Sequence, residues 1–215
     1  MEKSELFRDN YSESKFKVEE KETFTTEDVM EAIRCAYEEA DKRFDEKDYE
    51  EALPVLLDMY EILKARKCYL IIEKETGFED YMNLLAWTCF RICFCYIENE
   101  DYPRAYFYID QVRGHDTDCF MEWINVLVNS ERVDALGVVE YYAKDPSKVS
   151  DIFKEESEFK KVKSILDRRL GYLYIEADQY VEAREIFTRL LDDPESRDFA
   201  REELEYLDSL SACEK

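Results

Sequence analysis

Only one residue of this chain is of the type most often used for acid–base catalysis at neutral pH. His115 is the single histidine among 215 residues, and it follows Gly114 in a turn-like run. Catalysis by histidine needs a positioned nucleophile or acid beside it, and the neighbouring residues supply no such pattern. The four glycines stand apart from one another, which excludes a glycine-rich phosphate-binding loop. We therefore expect His115 to be a loop residue.

Three cysteines lie close together in the sequence, at Cys89, Cys93 and Cys95. A spacing of four places Cys89 and Cys93 on one helix face, and Cys95 points elsewhere. Zinc needs four tetrahedral ligands, usually with a tight Cys-x-x-Cys turn, and neither spacing fits. Packing between helices is the favoured interpretation, because cysteine behaves as a small hydrophobe. A metal or redox role is the alternative. Seven cysteines with no secretion signal predict free thiols.

Paired acidic residues are abundant, for example Glu50-Glu51 and Glu202-Glu203. A hydrolytic pair of carboxylates needs one member in a desolvated cleft. These pairs instead stand beside lysines and arginines on faces that the pattern assigns to solvent. Since no spacing carries a catalytic pattern, we expect a protein that is not an enzyme and uses no cofactor or metal.

The net charge of −23 bears on the class of partner. Such a charge repels the phosphates of nucleic acids and of anionic lipid surfaces, so we expect neither as a ligand. A basic protein partner remains open. The one basic cluster, Lys160-Lys161-Val162-Lys163 followed by Arg168-Arg169, could meet an acidic partner or pair with acids of the chain itself. The second interpretation is favoured.

Helices must position these residues. Glycine and proline number only four each, too few for the turns of a β-sandwich or barrel. Residues 1–24 are polar and lack periodicity, whereas helical periodicity begins at Thr25 and runs to Leu210. No apolar run reaches the length of a membrane span, and the first residues lack a signal-peptide core. The prediction is a polar tail over 1–24 and a single all-α domain over 25–215, located in the cytoplasm.

Four segments align without gaps around an alanine, with a mostly small residue twelve places before it and apolar residues four and seven places after it. The alanines are Ala52, Ala105, Ala135 and Ala183, and the earlier residues are Ala40, Cys93, Trp123 and Gly171. In a helix hairpin the small residue lets the second helix approach closely, and the large residues fill the space towards the next hairpin. Trp123 makes the third copy the least regular.

The distances between these alanines, 53, 30 and 48 residues, are unequal. The excess before the second copy predicts long helical arms over 53–74 and 79–97, with a reversal at Gly77. The excess before the fourth copy predicts an additional turn or short helix within 147–163. A last helix over 196–210 is expected to cap the stack.

The copies resemble the tetratricopeptide repeat, a helix–turn–helix of about 34 residues. The last copy carries most of the resemblance, and the turns at 48–52 and 101–105 match the family's turn. Its matching residues are Leu170-Gly171, Tyr174, Ala183, Phe187 and Pro194. No copy keeps the glycine that usually precedes the turn's acidic residue. The resemblance covers residues 30–208 and implies a right-handed solenoid of antiparallel helix hairpins, with about nine helices.

In tetratricopeptide proteins the first helices line a concave face that holds extended or helical peptides. Carried over position by position, that face is represented here by Tyr37, Trp87, Phe90, Phe94, Phe120, Ile124, Arg168 and Tyr172. The subclass that clamps a carboxylate uses an asparagine where this chain has Asp41, Phe94, Ile124 and Tyr172. The resemblance thus implies an aromatic peptide groove, unless curvature or additional helices fill it from within.

We therefore expect a non-enzymatic protein–protein interaction module that binds a peptide or protein through this aromatic-lined face. The alternative is an acidic inhibitor or immunity-type protein that masks a basic effector, such as a nuclease, through its surface charge. Sensitivity of binding to salt separates the two, because exposed charge pairs are screened and apolar contacts are not. The identity of the partner and the oligomeric state are left open by the sequence.

Overall fold

A computed structural model describes residues 25–130, 132–149 and 156–213. These ranges are helical and contain no β-strand, which confirms the all-α prediction. Their ten α-helices are α1 (Thr26–Asp45), α2 (Tyr49–Lys64), α3 (Arg66–Thr76), α4 (Phe78–Glu98), α5 (Tyr102–Asp110), α6 (Thr117–Asn129), α7 (Ala135–Lys144), α8 (Glu156–Glu176), α9 (Tyr180–Leu190) and α10 (Arg197–Cys213). A short 3-10 helix, Pro146–Val149, follows α7. The tail predicted over 1–24 lies outside the described residues.

Contacts divide the chain into two compact units, Met1–His115 and Asp116–Lys215. The first unit contains α1 to α5 and the second contains α6 to α10, and each is described by itself below. A single domain over 25–215 stays a prediction. Among the described helices, none combines the length and the apolar character required to cross a membrane.

The predicted count of about nine helices is too low because the arm predicted over 53–74 is two helices. The first of them, α2, ends at Ala65, whose ψ of 121° leaves the helical region, and α3 starts at the next residue. The predicted reversal at Gly77 is confirmed. Its φ of 91° is a value that side chains with a β-carbon rarely adopt. The Tyr81 hydroxyl donates to the Leu63 carbonyl oxygen at 3.1 Å, which ties α4 to the end of α2.

Three helix pairs are joined by turns of the same backbone geometry: α1 with α2, α4 with α5, and α8 with α9. The residue before each second helix's cap has a positive φ, of 58° at Lys47, 56° at Glu100 and 58° at Asp178. At the first turn the Lys47 N–H donates to the Phe44 carbonyl and the Asp48 N–H to the Arg43 carbonyl, and both bonds recur in the other two turns. This is the Schellman motif, in which glycine is the usual residue. The three positions that lack the family's usual glycine are therefore those at which the backbone is left-handed.

Helix starts follow the capping residues of the sequence. Thr25 and Asp28 form a capping box, in which the Thr25 Oγ1 accepts from the Asp28 N–H at 3.1 Å and the Thr25 N–H donates to Asp28 Oδ2 at 3.0 Å. Asp101 caps α5 by accepting from the Arg104 N–H at 3.2 Å. Pro103 lies in the first turn of α5, where its missing N–H has no helical partner to lose.

The alanines of the four aligned segments are core residues, as predicted. Ala52, Ala105 and Ala183 are 0 % exposed and Ala135 is 2 % exposed. The residues four places later are also fully buried, namely Leu56, Ile109, Val139 and Phe187. The last helix, α10, packs on α9 and buries Ala200 and Leu207. Of the additional structure predicted within 147–163, the structure describes the 3-10 helix and the start of α8.

Candidate functional site

Four of the eight predicted groove residues lie in the first unit, all but one of them on α4. Tyr37 of α1 stacks on Trp87 of α4 with ring centroids 4.3 Å apart. Tyr37 remains 37 % exposed, whereas Trp87 and Phe90 are half-buried. These three residues, called the Tyr37–Trp87–Phe90 surface below, leave aromatic area accessible on the first unit.

Arg91, which the sequence analysis did not single out, fixes this stacked pair. Its guanidinium carbon lies 4.4 Å from the Trp87 ring centroid and 4.5 Å from the Phe44 ring centroid. Both are cation–π distances. Its Nη2 also lies 2.9 Å from Asp41 Oδ1, which joins α4 to α1. The signal available in the sequence was the i, i+4 spacing of Trp87 and Arg91, which places them on one face.

Phe94 is engaged by the chain itself. Its ring centroid lies 5.4 Å from that of Phe44 and 5.2 Å from that of Tyr49, and the latter two are 5.1 Å apart. Such edge and tilted contacts stabilise a packed aromatic cluster. Residues of α1, α2 and α4 share it, so Phe94 contributes mainly to packing within the first unit.

An open pocket of about 560 Å³ adjoins Tyr37. Its apolar lining is Met30, Ile33, Tyr37 and Leu84, and its charged rim is Glu27, Glu31, Arg34 and Glu38. On this rim Arg34 pairs with Glu31 at 2.6 Å and with Glu38 at 2.8 Å. The volume lies within the range of about 300–1,000 Å³ that is usual for ligand pockets. It suits one or two apolar side chains of a partner.

In the second unit, Phe120 and Ile124 are core residues, and the prediction that they line a groove is wrong. They are 2 % and 0 % exposed. The Phe120 ring packs on its edge against Tyr142, with centroids 5.3 Å apart. The reason is that α6 is apolar on more than one face: six of its thirteen residues are buried. A helix of this kind presents no single outward stripe to a ligand.

Arg168 and Tyr172 contact the chain's own C-terminal segment, although Tyr172 stays 36 % exposed, so their assignment to a groove remains a prediction. The Arg168 Nη2 donates to Ser196 Oγ and to the Glu195 carbonyl oxygen, both at 2.8 Å. The Tyr172 hydroxyl donates to Glu203 Oε1 at 2.9 Å, and its ring centroid is 5.6 Å from that of Phe199. Residues 195–203 thus cover part of this face of α8 and leave part of Tyr172 exposed.

The Ser196 hydroxyl is the centre of this network. Ser196 is fully buried. Its hydroxyl contacts the Ser164 hydroxyl and donates to the carboxylate of Asp193. Asp193 Oδ2 accepts from Ser164 Oγ at 2.7 Å. Hydrogen bonds from Ser196 and Ser164 lower the pKa of Asp193. The network joins α8 to the segment between α9 and α10, and it has no histidine that could activate either hydroxyl.

A second cleft, of about 510 Å³, lies among α7, α8 and α9. Each helix contributes one stripe of side chains: Glu140, Ala143 and Lys144 from α7, Lys163, Asp167, Leu170 and Tyr174 from α8, and Glu182, Glu185, Ile186 and Arg189 from α9. We call it the Asp167 cleft. The sequence analysis missed it, although Asp167 directly follows Leu166 and precedes Leu170 by three, on the buried face of α8.

Asp167 is only 5 % exposed, and its two carboxylate oxygens differ in their surroundings. Oδ2 accepts from Lys163 Nζ at 2.7 Å. Among the described residues, Oδ1 is buried and accepts no hydrogen bond; Arg189 Nη2 is 3.7 Å away. Nearby, burial and the hydrogen bond to Glu140 raise the pKa of Tyr174 to about 12.

The three clustered cysteines are buried in α4, and His115 lies in a turn. Cys89, Cys93 and Cys95 are all 0 % exposed within α4, in agreement with a packing role. Burial raises the pKa of the Cys89 and Cys95 thiols to about 12. Residues 25–130, 132–149 and 156–213 contain no group of three or more His, Cys, Asp or Glu side chains placed to hold a metal ion. His115 lies in the turn between α5 and α6, where its N–H donates to the Val112 carbonyl.

Two lysines of the basic cluster on α8 pair with acids of the chain itself, as the favoured interpretation predicted. Lys163 pairs with Asp167, and Lys160 lies 3.3 Å from Glu156. The Arg169 Nη2 donates to Asn125 Oδ1 at 2.8 Å. The arginines of the cluster bond to neutral groups, so the predicted pairing with the chain's own acids is confirmed for Lys160 and Lys163 alone among the described contacts.

Comparisons with protein-family models, with curated proteins and with solved structures find no match to this chain.

Proposed function

We propose that this chain is a non-enzymatic, tetratricopeptide-like interaction module that binds a peptide or protein through the Tyr37–Trp87–Phe90 surface. The observation that carries the proposal is the partly exposed Tyr37–Trp87 stack beside an apolar pocket of about 560 Å³. Aromatic side chains next to a pocket are the usual anchors of protein interfaces. The surface is smaller than the eight-residue groove expected from the sequence.

The tetratricopeptide likeness is supported by three Schellman turns of equal geometry and by the buried alanines that follow them. Arrangement of the helix pairs as a right-handed solenoid is part of the proposal. A cytoplasmic location is also proposed; the free thiols of Cys35, Cys68, Cys89 and Cys95 are consistent with a reducing compartment.

The acidic-inhibitor function is the second candidate, favoured by the net charge of −23. A charged face would act over long range and steer a basic effector towards the chain. It would use no particular aromatic residue. The two functions therefore differ in which change abolishes binding.

The test begins with affinity capture from a lysate of the source organism, comparing the native chain with Tyr37→Ser. Tyr206→Ser is the matched control, because Tyr206 is a tyrosine of the second unit with 48 % exposure. Tyr206→Ser is expected to retain a partner of the proposed surface. Tyr37→Ser is expected to weaken the binding of that partner by at least about fivefold, the size of a single anchor contact. A partner captured equally by both variants contradicts the proposal.

The dissociation constant of that partner is then measured from about 50 to 500 mM salt, over which the screening length falls to roughly 4 Å. Binding through the aromatic surface changes less than about threefold, while Phe90→Ala costs at least about 1 kcal/mol of binding free energy. A collapse of affinity with salt, together with indifference to Phe90→Ala, favours the acidic inhibitor instead.

A further inference from the structure

We propose that the Asp167 cleft is a binding site for an alkylammonium group, such as a lysine side chain of a partner or a free alkyl diamine. The site lies in the second unit and uses none of the residues of the Tyr37–Trp87–Phe90 surface, so it stands or falls separately from the function proposed above.

The buried carboxylate of Asp167 has unused hydrogen-bonding capacity at Oδ1. Asp167 is more than nine-tenths buried, lines the cleft, and accepts no hydrogen bond at Oδ1 from any described residue. A buried carboxylate oxygen without a donor is unfavourable by an amount larger than for a neutral group. A ligand that brings an N–H donor to Oδ1 removes this penalty.

The charge of the cleft also favours a cation. Four carboxylates and three cationic side chains line it, a formal charge of −1. Lys144 pairs with Glu140, and Asp167 forms ion pairs with both Lys163 and Arg189, the latter at 3.7 Å from Oδ1. Glu182 and Glu185, both exposed on α9, take part in no ion pair among the described residues. The uncompensated charge at the rim is thus acidic, and the chain's net charge of −23 adds to the attraction of a cation.

The lining of the cleft includes an apolar surface on which a methylene stem can pack. Ala143, Leu170 and Ile186 are buried apolar residues of the cleft and are 6 %, 1 % and 5 % exposed. An alkylammonium ligand has a methylene stem that packs on such a surface and a head with several donors that reaches carboxylates. Lysine side chains and short diamines share this chemistry. The volume of about 510 Å³ accommodates either.

The experiment titrates the full chain with 1,5-diaminopentane and, separately, with Nα-acetyl-lysine methylamide, and follows the amide resonances by NMR. Both probes carry an alkylammonium group, and only the second carries a peptide backbone. We expect saturable shifts at residues 163–174 and 182–189 with one or both probes. Saturation by the diamine alone assigns a free amine, and tighter binding of the lysine derivative assigns a side chain of a partner.

Two variants and a matched control locate the site. Asp167→Asn retains the shape of the side chain and removes its charge, and we expect it to weaken binding about tenfold or more. The double variant E182Q/E185Q changes only exposed rim residues, so it remains informative if Asp167→Asn impairs folding. We expect it to weaken binding at least threefold. E202Q/E205Q makes the same change of charge on exposed residues of α10 and is expected to leave binding unchanged.

Four results overturn the proposal. The first is the absence of saturable binding of either probe. The second is equal binding of 1,5-pentanediol, which has the same length and hydroxyl donors but no charge. The third is equal weakening by E182Q/E185Q and E202Q/E205Q, which would assign the effect to overall charge. Displacement of both probes by an equal concentration of Ca²⁺ would likewise replace the alkylammonium assignment with a divalent cation.

Discussion

The aromatic ring of Phe187 occupies the space that a β-carbon on residue 171 would need. A β-carbon built on Gly171 would lie 2.5 Å from Cζ and 2.6 Å from Cε1 of Phe187. Gly171 belongs to α8 and Phe187 to α9, so the absence of a side chain at residue 171 sets how closely these two helices pack. Phe187 is 0 % exposed, and its ring also packs against those of Tyr172 and Phe199.

Gly171→Ala is therefore expected to destabilise the protein by about 1–3 kcal/mol, the usual effect of overpacking. Its gain in helix propensity, up to about 1 kcal/mol, is smaller than the steric penalty. The matched control is Gly137→Ala in α7, where an added β-carbon meets no atom within 4 Å. That variant is expected to gain stability by about 0.5–1 kcal/mol. Urea unfolding measures both, and an equal effect of the two substitutions would contradict the close contact.

Lys47→Gly is expected to stabilise the protein by about 0.5–1 kcal/mol. The left-handed conformation costs a non-glycine residue roughly 1–2 kcal/mol, and the greater freedom of glycine in the unfolded chain offsets part of that gain. Glu46→Gly is the neighbouring control: Glu46 has a φ of −75°, so glycine there brings only the entropic loss. Thermal unfolding of the two variants should give shifts of opposite sign. A loss of stability in Lys47→Gly would mean that the turn is not left-handed.

Thiol labelling should separate the cysteines by burial. Cys89 and Cys95 are fully buried and burial raises their pKa to about 12, so at pH 8 they hold almost no thiolate. Cys35 is half-buried, and its hydrogen bond to Glu31 raises its pKa as well, so the expected difference in rate rests on access of the reagent. We expect iodoacetamide to modify Cys35 in the native protein at least about 100-fold faster than Cys89 or Cys95. Peptide mapping gives the rates, and labelling in denaturant serves as the control. Comparable native rates would show that α4 is not packed as described.

The stability contributed by Asp193 should depend on pH. Hydrogen bonds from Ser196 and Ser164 hold its pKa below that of the unfolded chain, which is about 3.9. A lowered folded-state pKa adds stability that is complete above the unfolded pKa and is lost as the pH falls towards the folded pKa. Asp193→Asn should thus lower the free energy of unfolding at pH 7 by about 1–2 kcal/mol. The difference from the native chain should shrink below about pH 4.

The adjacent Asp192→Asn is the control for this pH dependence. Asp192 is exposed and makes no side-chain hydrogen bond within the described residues. Chemical unfolding at pH 7, 5 and 3 should show almost no effect of Asp192→Asn. If Asp193→Asn differed from the native chain by the same amount at every pH, the carboxylate would not be the group that stabilises the segment.

The sequence by itself determined the features that depend on local chemistry. Scarce glycine and proline together with helical periodicity predicted an all-α chain, because helix propensity and apolar spacing act within a few residues. A helix start was predicted at Thr25 for the same reason, since a cap bonds to amides of its own first turn. The alignment around Ala52, Ala105 and Ala183 predicted core positions, because close helix contacts restrict those sites to small residues.

Only the tertiary structure decided which large residues are accessible. Tyr37 and Phe120 are both aromatic at corresponding repeat positions, yet the first is 37 % exposed and the second 2 %. The difference arises from neighbours distant in sequence: Trp87 stacks on one side of Tyr37, whereas Tyr142 packs against Phe120 within the core. Periodicity identifies a helix face but not what covers it.

Periodicity also could not show what surrounds Arg168 and Asp167, which are adjacent in the sequence. Arg168 was predicted to meet a ligand and instead binds Ser196, 28 residues further along the chain. Asp167 was not singled out from the sequence, and the folding of α7 and α9 against α8 buries it with no hydrogen bond to Oδ1 from the described residues. Burial and hydrogen-bond partners arise from contacts between helices, and a one-dimensional pattern of residue types does not contain them.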